Sequence, residues 1–275
     1  MMDDKETKVF MRDYIVNPRM KESPQVLVKP CSKNYGRIGT AIDYAVRFGL
    51  THRTTRAKQL TPLISGIAVH AFIKRVDPEL YNTASTQYEE ALDILTEFQI
   101  DDSEGGRNAA HSTMVLADFD TMYRTRNTMP PSPITDEQVQ EILDLNNLVP
   151  WEFFDQFDKI ILNPHFGKGS RRLGGADADI IADDLLIDFK TTVQPKLTLE
   201  MVRQLVGYAV LCNHFGITKN PDETIPHEIK RIGIYFARSS HMFVTDLSEC
   251  ISKENEKIVL EHLLNHKLAR MDVEL

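Results

Sequence analysis

Asp177, Asp179, Asp188 and Lys190 lie in two short apolar stretches of the chain. A polar aspartate pair at 183–184 separates the two stretches. Apolar β-forming residues on both sides of a polar pair predict a β-hairpin whose turn is that pair. Partner residues in such a hairpin are equally distant from the turn, so Asp179 faces Asp188 and Asp177 faces Lys190. The sequence therefore predicts that three carboxylates and an ammonium group meet on two adjacent strands.

All four charged residues project from one face of the hairpin, because side chains alternate across a strand. The opposite face then carries apolar residues suited to a core: Ala178, Ile180, Ile187 and Phe189. Carboxylates directly opposite each other destabilise a strand pair. A divalent cation would remove this repulsion, because Mg²⁺ prefers oxygen ligands and commonly binds one or two carboxylates with waters and substrate phosphates. A neighbouring lysine can orient a water or stabilise charge that develops on a phosphate.

Further strands are predicted on both sides of this hairpin. The apolar segment at 159–163 predicts a strand before it. After it, 230–237 predicts a strand that turns at 239–240 and pairs back over 241–245. We therefore expect the hairpin to lie inside a larger sheet.

A helix is predicted between the hairpin and the later strands. Thr198 is a suitable N-cap for a helix over 199–214, and Glu200 lies in its first turn. Gln204 and Tyr208 are four residues apart and so lie on one face of this helix. In the simplest interpretation, Gln204 is a surface residue and Tyr208 lies at the edge of the core. The alternative, which we favour, is that both side chains have a functional role near the hairpin.

The first half of the chain is mostly helical by its apolar periodicity. One helix is predicted over 39–50, and within it Asp43 has two open interpretations. It pairs with Arg47 on a solvated face, or it approaches a cation at the hairpin. Residues 58–148 are predicted to be mostly helical, in four segments: 60–76, 84–98, 108–123 and 136–145.

A basic segment precedes the hairpin at 167–172, and we expect a flexible loop there. Lys168, Arg171 and Arg172 carry its charge. Guanidinium groups and backbone amides both suit phosphates, so these residues are candidate substrate contacts. The competing interpretation is a solvated loop. The segment lacks the ending of a nucleotide-binding P-loop.

The composition is that of an ordinary globular chain, with 275 residues, 42% of them hydrophobic and 26% charged. No apolar run approaches the roughly 18 residues that span a bilayer, and the acidic first residues do not resemble a secretory signal. Three widely spaced cysteines form neither a disulfide framework nor a zinc pattern. The net charge of −8 argues against a protein that coats DNA non-specifically. We expect a cytoplasmic protein.

The hairpin resembles the PD-(D/E)XK nuclease superfamily, in which one strand carries an acid and the next carries acid-x-Lys. Asp179 matches the first acid, and residues 188–190 (Asp-Phe-Lys) match the second motif. Thr191 extends the likeness to the RecB-like branch, which often has D-x-K-T. The acid-x-Lys motif alone is a weak signal, and the hairpin and the flanking motifs strengthen it.

Two flanking motifs belong to the same resemblance. RecB-like nucleases carry Q-x-x-x-Y on the helix after the D-x-K strand, and Gln204 and Tyr208 match it. They also carry G-x-x-x-H on the first core helix. Gly39 to Asp43 is similar, with an aspartate where the family has histidine, and either side chain can approach a cation. The likeness is loose at 39–43 and good in order and spacing over about 159–245.

The resemblance implies an α/β fold with a restriction-endonuclease-like mixed sheet core in the order αβββαβ. We expect a single domain over 1–275, with the nuclease core at 37–54 and 151–250 and an inserted helical block at about 55–150. The order of elements predicted from periodicity agrees with that architecture.

The resemblance also implies an Mg²⁺- or Mn²⁺-dependent enzyme that hydrolyses DNA phosphodiester bonds. Its implied metal ligands are Asp179, Asp188 and the Phe189 carbonyl, with Asp43 and Asp177 as further candidates. Lys190 would position the attacking water, Gln204 would hold Lys190 or that water, and Tyr208 would lie near the DNA. No iron–sulfur cluster is expected, because relatives that hold one use four cysteines.

Several alternatives stay open on sequence grounds. The rival function is a non-catalytic pseudo-nuclease that binds nucleic acid or a protein. A structural helical protein, in which the hairpin is only a solvated edge, is a third interpretation. Exonuclease or endonuclease action, RNA as substrate, and a homo-oligomer or partner protein are all compatible with the sequence, whereas a membrane partner is not expected.

Overall fold

A computed structural model describes residues 5–129, 131–172, 178–220 and 223–271. Asp177, one of the candidate ligands, lies outside the described residues. Within the described ranges, no helix has both the length and the apolar character needed to cross a membrane. The described chain is a mixed α/β structure in which helices cover a central sheet.

The central sheet has six strands in the spatial order β1-β2-β3-β4-β7-β8. The strands are β1 (Ala57–Gln59), β2 (Ile160–Leu162), β3 (Ile180–Ala182), β4 (Leu185–Lys190), β7 (Arg231–Phe236) and β8 (His241–Asp246). Pairing is parallel for β1 with β2 and for β4 with β7, and it is antiparallel for the other neighbours. A separate two-stranded ribbon pairs β5 (Ile217–Asn220) with β6 (Glu223–Ile225).

The helices fall before, between and after the strands. They are α1 (Lys5–Arg12), α2 (Tyr35–Arg53), α3 (Ile64–Ile67), α4 (Lys74–Val76), α5 (Pro78–Glu97), α6 (Glu104–Thr125), α7 (Asp136–Asn147), α8 (Trp151–Asp155), α9 (Lys168–Arg172), α10 (Leu199–Phe215), α11 (Leu247–Cys250) and α12 (Lys253–Met271). A π-helical turn at Ala68–Ile73 joins α3 to α4. Helix α10 begins where the sequence predicts, because Thr198 accepts a hydrogen bond from the Met201 amide and caps it.

Two apolar layers cover the opposite faces of the sheet. Ile181 and Leu186 face the layer that contains the apolar side of α10, including Val206. Ile180 and Ile187 face the other layer, which contains the apolar side of α2. Alternation along β3 and β4 thus sends neighbouring residues into different layers, which holds the hairpin rigidly between two helices.

A third apolar cluster lies beyond α2. It joins α2 to the π-helical turn and to helices α5 and α6 through buried residues such as Tyr44, Leu95 and Leu116. We call helices α3 to α7 the helical block. Because α2 packs on the sheet through one side and on the helical block through Tyr44, it connects the two.

The register of the predicted hairpin is confirmed. Residues 183–184 form the turn, and Ile180 pairs with Ile187 as the sequence predicts. The Asp183 backbone has φ 50°, and its carboxylate accepts hydrogen bonds from the amides of Asp158 and Lys159. The turn is therefore fixed to the segment that leads into β2.

The prediction that Ala178 faces the same apolar layer as Ile180 is wrong. The β3 ladder ends at Ile180, and Asp179 lies in a bend. The Ala178 amide donates to the Pro164 carbonyl, so the chain follows the end of β2 and places Ala178 in the layer beside α10. Strict alternation fails because residues 178 and 179 are no longer in the strand.

Two expectations for the flanking segments also need correction. Residues 168–172 form the short helix α9 where we expected a flexible loop, and a Cβ at Gly169 would lie 2.6 Å from the Phe215 ring, so α9 packs on the end of α10. Strand β1 lies in the range assigned to the helical insertion, and there the helices begin only at Ile64. Three residues are too few to show the alternation that predicts a strand.

A buried arginine holds the end of β4 in place. Arg238 is fully buried, forms an ion pair with buried Glu141 and donates to the carbonyls of Thr191 at 2.7 Å and Val28 at 3.2 Å. The other Glu141 oxygen accepts from the Cys31 amide at 2.9 Å. This network ties the N-terminal segment and the helical block to the residue that follows Lys190.

Replacing Arg238 with methionine should lower the free energy of unfolding by about 3–5 kcal/mol, because Glu141 would stay buried without its charge partner. Urea denaturation monitored by circular dichroism measures this loss. The matched control is Arg231→Met, which breaks the half-exposed ion pair with Asp184 and should cost only about 0–1 kcal/mol. Equal losses in the two variants would show that the Arg238 network does not stabilise the fold.

Candidate metal centre

Strand β4 supplies one buried acid and one lysine. The strand is apolar at Leu186 and Ile187, and its last residues, Asp188 and Lys190, project on the side of α10. Asp188 Oδ2 lies 2.6 Å from Lys190 Nζ. Burial raises the pKa of Asp188 to about 6, with Lys190 opposing and the Asp179 charge adding to the rise. Burial works against the Lys190 ammonium, but the Asp188 charge raises its pKa.

The bend before β3 supplies the second acid. Asp179 Oδ2 accepts a hydrogen bond of 2.6 Å from the Phe189 amide, which lies between the two site residues of β4. Burial raises the pKa of Asp179, while the Lys190 charge and the Phe189 amide oppose that rise. The Asp179 charge adds to the rise in the pKa of Asp188, and the amide that Asp179 binds belongs to Phe189, the residue directly after Asp188.

Helix α10 supplies two polar side chains on one face. Lys190 Nζ donates to Gln204 Oε1 at 3.2 Å, and Gln204 Nε2 donates to the Tyr208 hydroxyl at 3.1 Å. The half-buried Tyr208 ring packs 5.9 Å from the Phe166 ring, between ring centres. The ammonium group of Lys190 is therefore held between Asp188 and Gln204.

Helix α2 directs a third acid toward the same place. Gly39, Asp43 and Arg47 are four residues apart and share one face. A Cβ at Gly39 would lie 3.0 Å from Thr191 Oγ1, so this face approaches the end of β4 closely. Asp43 pairs with Arg47, as one interpretation of the sequence expects, but the pair is buried, with side-chain exposures of 16% and 5%. The expectation of a solvated face is thus wrong, since the helical block covers it.

The ionisation of Asp43 reflects this burial. Burial raises the pKa of Asp43 to about 7, with Arg47 opposing and the Asp179 charge adding to the rise. Asp43 Oδ1 and Arg47 Nη1 are both buried without a hydrogen-bonding partner among the described residues. Asp43 therefore lies in a buried environment that the Asp179 charge also reaches.

The arrangement suits a hard cation in part. Asp43 Oδ1 is a buried carboxylate oxygen that makes no hydrogen bond within the described chain, whereas Asp188 Oδ2 contacts the Lys190 ammonium group at 2.6 Å. No group of three or more His, Cys, Asp or Glu side chains in the described ranges is close enough to hold a metal ion. An Mg²⁺ site needs only one or two carboxylates, provided that waters and substrate oxygens complete it. Asp179 and Asp188 supply two carboxylates.

Other predicted site residues have different places in the structure. Phe189 is 9% exposed, with its ring 5.9 Å from that of Tyr235, which leaves its backbone to face the site. Lys168 is exposed on α9, beside the end of α10. The side chains of Arg171 and Arg172 lie outside the described residues.

Sequence reasoning missed three residues near the acids. The Tyr44 hydroxyl donates to Asp120 on α6 at 3.4 Å, and Asp120 also accepts from Arg124, so these residues link α2 and α6 beside Asp43. The spacing of Asp120 and Arg124, four apart on a predicted helix, was the available signal. It gave no indication that Asp120 contacts Tyr44, because that contact arises from the packing of α6 on α2.

Replacing Asp188 with asparagine should stabilise the protein at pH 8. The raised pKa of about 6 means that folded Asp188 keeps its proton where the unfolded chain, near its ordinary 3.8, has lost it. The protonated Asp188 carboxyl group therefore does not oppose folding at low pH. As the pH rises through about 6, its ionisation in the folded protein lowers the free energy of unfolding. The gain from the Asn variant should be on the order of 1–3 kcal/mol at pH 8 and should vanish near pH 4.

Urea denaturation at both pH values checks this expectation, with Asp102→Asn in an exposed loop as the control. A variant that is less stable than the wild type at pH 8 would show that the Asp188 carboxylate favours folding, contrary to the burial argument.

Comparison with known proteins yields no relative for this chain. No protein-family model matches it, and no curated protein or solved structure matches it either. Any functional assignment therefore rests on the geometry of Asp179, Asp188, Lys190 and Gln204.

Proposed function

We propose that this protein is a metal-dependent nuclease of the PD-(D/E)XK type, RecB-like branch, and that it hydrolyses phosphodiester bonds of DNA. The observation that carries the proposal is the position of Lys190, held between the buried Asp188 and Gln204 near the partly buried Asp179. An ordinary surface ion pair would not bring together two acids whose charged forms are disfavoured by burial.

The order of elements supports the finer fold assignment. Helix α2, strands β2, β3 and β4, helix α10 and strand β7 occur in the order αβββαβ. The elements between them are β1, the helical block and α8 before β2, α9 before β3, and the ribbon of β5 and β6 before β7. Asp188 and Lys190 lie on β4, and Gln204 and Tyr208 lie on α10, as the resemblance implies, whereas Asp179 lies in the bend before β3. We therefore propose a restriction-endonuclease-like core for this chain.

Asp179 and Asp188 would hold an Mg²⁺ or Mn²⁺ ion, with the Phe189 carbonyl as a further ligand. Such an ion supplies Lewis acidity and lowers the pKa of a bound water. The Asp179 hydrogen bond to the Phe189 amide orients one carboxylate, and the sheet orients the other. Both acids thus have a fixed position before any ligand binds, which is the preorganisation that electrostatic catalysis requires.

Lys190 would orient the attacking water or stabilise negative charge on the phosphate. Its ammonium group keeps its proton near neutral pH, because Asp188 and Asp179 raise its pKa. A permanently charged lysine is better suited to charge stabilisation and water positioning than to proton abstraction. Gln204 restricts the ammonium group to one direction, and Tyr208 holds Gln204 in turn.

Purified protein should cut labelled DNA only when Mg²⁺ or Mn²⁺ is present. Lys190→Met should lower the cleavage rate by about 10²- to 10³-fold, the usual cost of removing a charge that stabilises a transition state. Gel analysis of linear duplex, single-stranded DNA and RNA substrates measures the rate. The control is Lys230→Met, which removes an exposed lysine paired with Glu228 and should leave the rate unchanged.

A melting curve with Mn²⁺ tests the same site without substrate. Bound Mn²⁺ should raise the melting temperature of the wild type by mass action, and Asp179→Asn should abolish that rise. Absence of cleavage on every substrate, together with DNA binding, would replace the nuclease by a non-catalytic binding module. If the protein cleaves no substrate and Mn²⁺ does not raise its melting temperature, the hairpin has no catalytic role.

Gln204→Met should lower kcat by roughly 10- to 100-fold with little change in KM, because it removes the group that orients Lys190 rather than a substrate contact. Steady-state cleavage assays give both constants. Gln156→Met is the matched control, since Gln156 is exposed and donates only to the Phe153 carbonyl. A rise in KM at constant kcat would show instead that Gln204 contacts the substrate.

A further inference from the structure

Three strands end at the edge of the sheet that carries the candidate metal centre. Strands β1, β2 and β4 run in the same direction, because β1 is parallel to β2, and β2 and β4 are both antiparallel to β3. Their carboxyl ends therefore lie at one edge with Lys190, where the chain enters β3 through Asp179. Two polar residues, Thr61 and Asn163, follow β1 and β2 at this edge. The function proposed above uses neither of them.

Asn163 turns the chain directly after β2. Its φ is 47°, in the left-handed region that asparagine adopts more readily than most residues. It is 8% exposed, whereas the other described non-glycine residues with positive φ are half-buried or exposed: Arg126, Asp183 and Ser240. Such a conformation persists only where surrounding contacts hold it, and it is often found at functional sites.

Hydrogen bonds connect this turn to Asp179. The Asn163 amide donates to the Asp179 carbonyl at 2.9 Å, and the next residue, Pro164, accepts from the Ala178 amide at 3.3 Å. In a regular antiparallel ladder, hydrogen-bonded pairs alternate with pairs that make no hydrogen bond. Here two successive pairs each make one bond, so the ladder becomes irregular where Asn163 turns. The bend at Asp179 therefore begins opposite the Asn163 turn.

Thr61 holds the other side of the Asn163 turn. Its hydroxyl donates to the Asn163 carbonyl at 2.9 Å, and the Asn163 side-chain amide lies 3.5 Å from the same hydroxyl oxygen. Strand β1 places Thr61 there, because Gln59 pairs with Leu162, the residue before Asn163. Strand β1 lies outside the αβββαβ order, and this contact gives it a role at the site.

We propose that Asn163 is a positioning residue of the metal centre, whose left-handed turn, held by Thr61, sets the direction of the Asp179 carboxylate. The Asn163 amide fixes the Asp179 backbone, and the Asp179 carboxylate accepts from the Phe189 amide at 2.6 Å. This inference rests on the nuclease function proposed above. A change of backbone conformation at 163 should act on the site through Asp179, without any contact between Asn163 and the substrate.

The test compares Asn163→Val with Asn163→Gly. Valine is strongly disfavoured at positive φ because its β-carbon is branched, whereas glycine adopts this conformation readily. The control is Arg126→Val, which introduces the same backbone conflict at φ 56°, at the end of α6. Thr61→Val is a second variant, which removes the hydroxyl group that holds the turn but keeps the shape of the side chain.

The measurements separate positioning from stability. Melting curves without metal give the stability of each variant. Calorimetric titration gives the affinity for Mn²⁺, and DNA cleavage with Mg²⁺ gives kcat and KM. Hydrogen exchange of the Phe189 amide, followed by NMR in the metal-free protein, reports its bond to Asp179.

Asn163→Val should weaken Mn²⁺ binding and lower kcat by about 10- to 100-fold each, with little change in KM, as is usual when a partner that orients a metal ligand is lost. Its Phe189 amide should exchange at least about tenfold faster. Asn163→Gly should stay within about threefold of the wild type in all these quantities. Thr61→Val should change them in the same direction as Asn163→Val, by at least about threefold, and it decides the question if Asn163→Val does not fold. Arg126→Val should lower the melting temperature only.

A lower melting temperature in Asn163→Val and Thr61→Val, with unchanged Mn²⁺ affinity, kcat and Phe189 exchange, would overturn this inference and leave the nuclease function intact. A glycine variant as impaired as the valine variant would also overturn it, because the side chain rather than the turn would then matter. A wild type that neither binds Mn²⁺ nor cleaves DNA would overturn both this inference and the proposed function.

Discussion

The burial of Asp188 and the partial burial of Asp179 near Lys190 are the constraint on which the rest of the structure depends. Removing a carboxylate from water costs several kcal/mol unless charges and hydrogen bonds replace the lost hydration. Here the Lys190 ammonium and the Phe189 amide replace part of it, and the raised pKa of Asp188 shows that the replacement is incomplete. The two apolar layers of the sheet must therefore supply stability that the site itself does not. Such local instability is common where a protein is shaped for binding or catalysis rather than for folding.

Three separate parts of the chain meet at this point, and each is held by a different kind of contact. The hairpin is held by its ladder, α10 by its apolar side, and α2 by its position between the sheet and the helical block. Arg238 adds a buried polar link, since it contacts Thr191, Val28 and Glu141 together. Because the N-terminal segment and α7 both join this network, the position of Lys190 depends on residues far from it in sequence.

Local patterns predicted the parts of the structure that depend on local geometry. The turn at 183–184 set the hairpin register, and the four-residue spacing of Gln204 and Tyr208 set their common face, since both follow from strand and helix periodicity. Strand β1 was missed because it is short. The bend at Asp179 was missed because the path of the chain there follows a hydrogen bond to the Pro164 carbonyl, a contact between distant segments.

The environment of Asp43 could not be read from the sequence for a related reason. Its spacing from Arg47 predicts an ion pair equally well on an exposed helix and on a covered one. Whether the pair is buried depends on where α6 packs, and the same packing brings Asp120 to the Tyr44 hydroxyl. Charge pairs on helices become informative about function only when the tertiary neighbours of that face are known.

The two-residue turn at 183–184 restricts the insertions and deletions that this protein can tolerate. Side chains alternate with a period of two, so a single inserted or deleted residue that shifted β4 against its neighbours would exchange the faces of the strand. Asp188 and Lys190 would then enter the apolar layer beside α2, and Phe189 would take their place. The Asp183 contacts to Asp158 and Lys159 oppose such a slip. Length variation should therefore be tolerated in the exposed loops but not in this turn, although the turn itself touches no reacting group.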